Sequence, residues 1–187
     1  TYGTADQTVG YIVNGSSDDW MYGEQIAKPK IFAMTPECGD AAFGFWPPAN
    51  EIIPLCENTI FQNITMAQLA GPYAKLTETS PSLINSGGGY VQLNLKQLGL
   101  DTLATYTISL TPVTLNIVST GAPLSISGLG LLEEINDSIS FALTTPMNNG
   151  DAIKFLLNID NGQYTLTDTI IKYFGSPVTV FASDANT

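Results

Sequence analysis

Four residue types in this sequence are able to do chemistry, and a fifth is missing. Tyr11 offers a phenol, Asp18 and Asp19 a pair of adjacent carboxylates, Glu37 a third carboxylate, and Cys38 and Cys56 two thiols. There is no histidine among the 187 residues, which excludes a His-ligated metal, an imidazole general base and any Ser-His-Asp set within the chain. No phosphate-cradling glycine loop is present either. Taken singly, each remaining group has an ordinary role. Asp18-Asp19 can cap a turn ahead of Trp20, Tyr11 can be a half-buried tyrosine, and a glutamate after a strand can be a solvated strand end. Asn158, Asp160 and Asp168 together suggest calcium, but such residues are commonplace in turns. The thiols stand eighteen positions apart, as a disulfide in an oxidising compartment or as two buried free cysteines.

Charge narrows the partners further. The net charge is −11, all six basic residues are lysine, and there is no arginine. An acidic surface without arginine repels phosphate backbones and lacks the planar fork that grips a carboxylate, so nucleic acid is excluded as a partner. No apolar run approaches the roughly 20 residues of a membrane-spanning helix. The first residues, TYGTADQTVG, are polar and carry no signal peptide, so a secreted parent is expected to hold its targeting signal upstream of residue 1.

The elements that must position these groups change character along the chain. Residues 30–36 (KIFAMTP) predict a short buried strand, followed by a Gly/Pro-rich loop. The spacing of Ile53, Cys56, Ile60, Ile64 and Ala67 predicts a helix with Asn50 as N-cap, stopped by Gly71-Pro72. Trp20, Trp46, Phe43 and Phe45 are expected to pack. SPSLINSGGG (80–89) reads as a linker. Strand signals follow: alternation at Tyr90–Leu95, then residues 105–113, 114–120, 138–145, 151–160, 163–174 and 177–182, with turns at Asn148-Asn149-Gly150 and Asp160-Asn161-Gly162. Seven short strands in about 100 residues predict an antiparallel, immunoglobulin-like two-sheet sandwich. The expected fold class is therefore mainly β, with a strand–loop–helix piece over residues 1–75 and a sandwich over 76–187.

Two stretches, YIVNGSSDDWMY (11–22) and KIFAMTPECGDAAFGFWPPANEIIP (30–54), resemble the C-terminal part of the catalytic domain of zinc carboxypeptidases. The matching features are Tyr11, Asp18-Asp19-Trp20, Glu37, Gly44-Phe45 and Ile52-Ile53-Pro54, in order. The resemblance implies a remnant of an α/β domain over residues 1–75. It also implies that Glu37 moves a proton from a zinc-bound water to the leaving amine. Tyr11 would contact the substrate's terminal residue, and Asp18 would line the floor of the pocket for that residue. An acidic floor implies a preference for C-terminal Lys or Arg. The two histidines of a His₂Glu zinc site, and the arginines for the substrate carboxylate, would come from upstream of Thr1. Zinc is thus expected in the full-length parent, none on this chain, and the fragment alone is expected to be inactive. The gap from Glu37 to Gly44-Phe45 is one residue shorter than in the pancreatic enzymes, which places the role of Phe45 in question.

The parent implied is a secreted or cell-surface bacterial peptidase whose partner is a peptide C-terminus. The first 75 residues would need to cover their apolar faces against the sandwich or through self-association. The alternative is a non-enzymatic β-sandwich module for binding or adhesion.

Overall fold

Alternation of apolar and polar residues builds most of this molecule. In the sequence YVQLNLKQ, every second side chain (Val91, Leu93, Leu95, Gln97) turns inward and is buried, while Tyr90, Gln92, Asn94 and Lys96 face out. The same period of two recurs at Tyr106, Ile108 and Leu110 and at Ile153, Phe155, Leu157 and Ile159. The computed structural model describes residues 4–8, 10–12, 15–31, 33, 35–36, 38–44 and 46–177. The chain divides into two compact units, Thr1–Ile60 and Phe61–Thr187.

Among its described residues the second unit holds nine strands: β1 (Ala74–Glu78), β2 (Leu83–Ile84), β3 (Gly88–Gln97), β4 (Thr105–Pro112), β5 (Ile117–Thr120), β6 (Leu124–Ser127), β7 (Glu134–Leu143), β8 (Ala152–Asp160) and β9 (Thr165–Phe174). They form a four-stranded sheet ordered β1-β3-β7-β5 and a five-stranded sheet ordered β2-β9-β8-β4-β6. Inward residues of both sheets make one hydrophobic core, in which Phe141 and Phe155 meet edge to face at 5.3 Å between ring centroids. The fold is mainly β, as expected. Three details differ from the expectation. The stretch 80–89 is no mere linker, since it contains β2 and the start of β3. β6 carried too short an alternation to be foreseen. And the sheets are not wholly antiparallel, because β2 pairs parallel with β9, Leu83 opposite Tyr173 and Ile84 opposite Phe174. The physical reason is the crossover: the chain leaves β1 at the edge of one sheet and reaches the edge of the other without reversing direction.

A buried lysine fastens that crossover. Lys172 of β9 is 1% exposed, and its ammonium donates to Glu78 Oε1 (2.9 Å), Ser80 Oγ (2.9 Å) and the Pro81 carbonyl (2.8 Å). Its charge and donors are thereby satisfied, the condition under which a buried lysine is tolerated. At the other end of the core, Tyr106 donates to Gln97 Oε1 at 2.6 Å, and the Gln97 amide donates to the Gly99 and Asp101 carbonyls. Gly99 has no alternative there, because a Cβ would run into the Gly71 carbonyl.

In the first unit the described elements are short: α1 (Ala5–Thr8), α2 (Ser17–Gly23), 3₁₀ turns at Ala41–Phe43 and Ala49–Glu51, and the start of α3 (Ile52–Ala70). No described residue before Pro72 is buried. The strand expected over 30–36 does not form among its described residues, 30, 31, 33, 35 and 36. A strand holds its backbone only when a neighbour accepts its hydrogen bonds, and here the Ile31 N–H goes instead to the Met21 carbonyl. α3 does form, but its predicted stripe is bare. Ile53, Ile60 and Ile64 are exposed, and the helix has no buried residue. Asn50 does not cap it. The helix grows out of the 3₁₀ turn behind Pro48, and the Asn50 amide donates to Glu51. Trp46 and Trp20, expected to pack, are 90% and 54% exposed. Phe45 and residues 178–182 lie outside the described residues.

Candidate functional site

α2 is positioned by its own first turn. Ser16 caps it, with Ser16 Oγ accepting from the Asp19 N–H and the Asp19 carboxylate accepting from the Ser16 N–H, both at 3.2 Å. This reciprocal arrangement explains the paired aspartates in part. Asp19 serves the helix, and Asp18, one position earlier, is left to face elsewhere. Its Oδ2 accepts a hydrogen bond from the Thr35 hydroxyl at 2.5 Å, across seventeen positions of sequence. An ionised acceptor makes such a bond short and strong. At the far end of the helix, Lys28 donates to the Met21 and Glu24 carbonyls at 2.6 and 2.7 Å and lies over the Trp20 ring, 4.7 Å from its centre. Glu24 accepts from the N–H groups of Ala27 and Ile26, which hold its carboxyl below the ordinary value.

The three residues singled out from the sequence fare differently. Asp18 is half-buried and tied to Thr35, two residues ahead of Glu37. Tyr11 stands in the turn before α2, 60% exposed. Glu37 lies outside the described residues. Thr35 was not foreseen. Its only signal was its place in the apolar run leading to Glu37, and a lone hydroxyl there says nothing until a carboxylate is brought beside it.

No described group of three or more His, Cys, Asp or Glu side chains is placed to hold a metal ion. Cys38 and Cys56 are exposed free thiols. Alternation along β8 and β9 sends Asp168, opposite Leu157, to the face away from Asn158 and Asp160, so those three do not converge on a cation. The described residues therefore do not make a zinc site. Among the described residues, a cleft of ≈ 160 Å³ opens beside Tyr90, Phe141, Leu83 and Ile84, well under the several hundred Å³ usual for a small-molecule pocket. No described helix is long and apolar enough to cross a membrane.

Against this geometry, the similarity to a known family lies at the start of the chain. Residues 1–62 match the zinc carboxypeptidase family, Peptidase M14. A protein of Anopheles gambiae named Zinc carboxypeptidase A 1 is 42% identical over 59 residues, which is 31% of this chain and 13% of that protein. The chain thus spans about an eighth of that relative. The crystal structure of the periplasmic chaperone SfaE superposes at a TM-score of 0.39 and 14% identity, covering 59% of this chain and 61% of that one. A likeness of that size carries no conclusion.

Proposed function

We propose that residues 1–75 are the C-terminal part of a zinc carboxypeptidase catalytic domain, joined to an immunoglobulin-like accessory sandwich over 76–187, in a secreted bacterial peptidase. The observation that carries this is the family match over residues 1–62, and the roles of Tyr11, Asp18 and Glu37 follow from the motif resemblance around them. In the parent, zinc would be held by residues outside these 187 and would supply Lewis-acid activation of water and carbonyl. Glu37 is the proton-transfer carboxylate, Tyr11 contacts the terminal residue of the peptide, and Asp18 forms the acidic floor that favours Lys or Arg. The Thr35 hydroxyl supports the last assignment, since it fixes the Asp18 carboxylate through Oδ2. The 187-residue chain alone has no imidazole and is inactive.

The test has two arms. The purified chain with added zinc should leave hippuryl peptides ending in Lys, Arg or Leu uncleaved, and turnover above buffer would overturn the missing-ligand reading. In the longer protein, Glu37→Gln should lower kcat by roughly 10²–10⁴-fold. There, Asp18→Asn should lower kcat/KM for Lys-ending peptides far more than for Leu-ending ones. A longer protein without peptidase activity would leave the other reading, a binding or adhesion module. That second reading is favoured by the one well-built core lying in the sandwich.

A further inference from the structure

The two thiols are exposed, unbonded and used by nothing in the proposed chemistry. Their neighbours, however, lie close together. A Cβ built on Gly39 would lie 3.6 and 3.7 Å from the two Leu55 methyl carbons, so the backbone beside Cys38 lies near the helical residue beside Cys56. The same Cβ would lie 3.6 Å from the Phe43 ring. A disulfide needs Cα atoms roughly 5.5–6 Å apart. With the two stretches lying this near each other, a turn of the loop at residues 38–40 would carry Cys38 toward Cys56.

We infer that Cys38 and Cys56 form an intrachain disulfide in an oxidising compartment, stapling the residue after Glu37 to α3. With a small disulfide such as oxidised glutathione as the oxidant, the thiolate of one cysteine attacks a glutathione sulfur and expels one glutathione thiolate. The thiolate of the other cysteine then attacks the mixed disulfide at the protein sulfur and expels the second. Two protein thiols are oxidised, one glutathione disulfide is reduced to two thiols, and the two protons released from the cysteines pass to the leaving thiolates. The bond's consequence for Glu37 rests on the function proposed above, but the bond itself does not.

The test uses the whole chain and needs no activity. After equilibration with oxidised glutathione and quenching with N-ethylmaleimide, alkylated thiols should fall from two per chain to none. Digestion after glutamate, which cuts at Glu37, Glu51 and Glu57, should then yield peptides 38–51 and 52–57 joined by a reducible link. Cys38→Ser and Cys56→Ser should each carry one glutathione adduct in its place. Two alkylated thiols, two glutathione adducts on the unmutated chain, or a covalent dimer lost on reduction would each overturn the inference. Equal yields of the linked pair in native buffer and in guanidinium chloride would do the same, because the loop packing would then contribute nothing.

Discussion

The two units of this chain are similarly rich in large apolar side chains and use them in opposite ways. In the sandwich, Val91, Ile108, Ile153 and Phe155 are fully buried. In the first unit, Ile12, Trp20, Ile26, Trp46 and Ile53 are exposed, and no described residue is buried. Apolar content does not make a core. What does is a backbone that can satisfy its own hydrogen bonds while bringing many such side chains to one side, and paired strands supply that where a lone helix and a loop do not. The first unit thus carries a pattern suited to packing without packed neighbours among its described residues. That pattern fits the proposal that its partners belong to a larger domain.

The sharpest way to break the contrast is to cut into the buried side. Phe155→Ala should cost about 3–5 kcal/mol by urea unfolding, since it empties the centre of the core and removes the contact with Phe141. A loss below about 1 kcal/mol would mean that the core is not packed as described.

Lys172→Met should cost less, about 2–3 kcal/mol, because Glu78 retains 24% side-chain exposure and is not fully stranded. The same variant has a signature in pH. Burial, the largest single influence on Glu78, raises its carboxyl. The Ser80 hydroxyl and the hydrogen bond and charge of Lys172 together outweigh it, and hold the group below its ordinary value near 4.5. A carboxyl depressed in the folded state contributes stability that is present above that ordinary value and is lost as pH falls through the folded-state value. Below pH ~4.5 the unmodified chain should therefore lose stability more steeply than Lys172→Met. Parallel curves would show that the lysine does not set the state of Glu78.

At the small end lies the helix. Ile60→Ala and Phe61→Ala, on the bare face of α3, should each shift the stability of the chain by no more than about 0.5 kcal/mol. A larger cost would reveal a covered face and sharpen the comparison into a question of what covers it.

The difference between the units also explains what could be read from sequence. Strand alternation is written locally: Tyr90–Leu95 or Ile153–Ile159 shows its inward face without reference to any partner, and the turn at Asp160-Asn161-Gly162 announces itself through a left-handed Gly162. β2 is two residues long and exists only because β9 lies beside it, so nothing local betrays it. The candidate site divides along the same line. The helix cap at Ser16-Asp19 is a short-range pattern, whereas the meeting of Asp18 with Thr35 depends on the path of the seventeen residues between them. The strand expected over 30–36 failed for the converse reason, since an apolar run specifies burial without providing neighbours.

The crossover at residues 79–82 gives the lysine beneath it a mechanical meaning. Tension entering the sandwich at Ala74 is borne first by β1, an edge strand held on one side only by β3. Were β1 to peel away, the pull would next meet the bonds from Lys172 to Glu78, Ser80 and Pro81, which anchor the chain to β9 in the opposite sheet. The sandwich is therefore fitted with two catches in series at the end where the preceding polypeptide is attached.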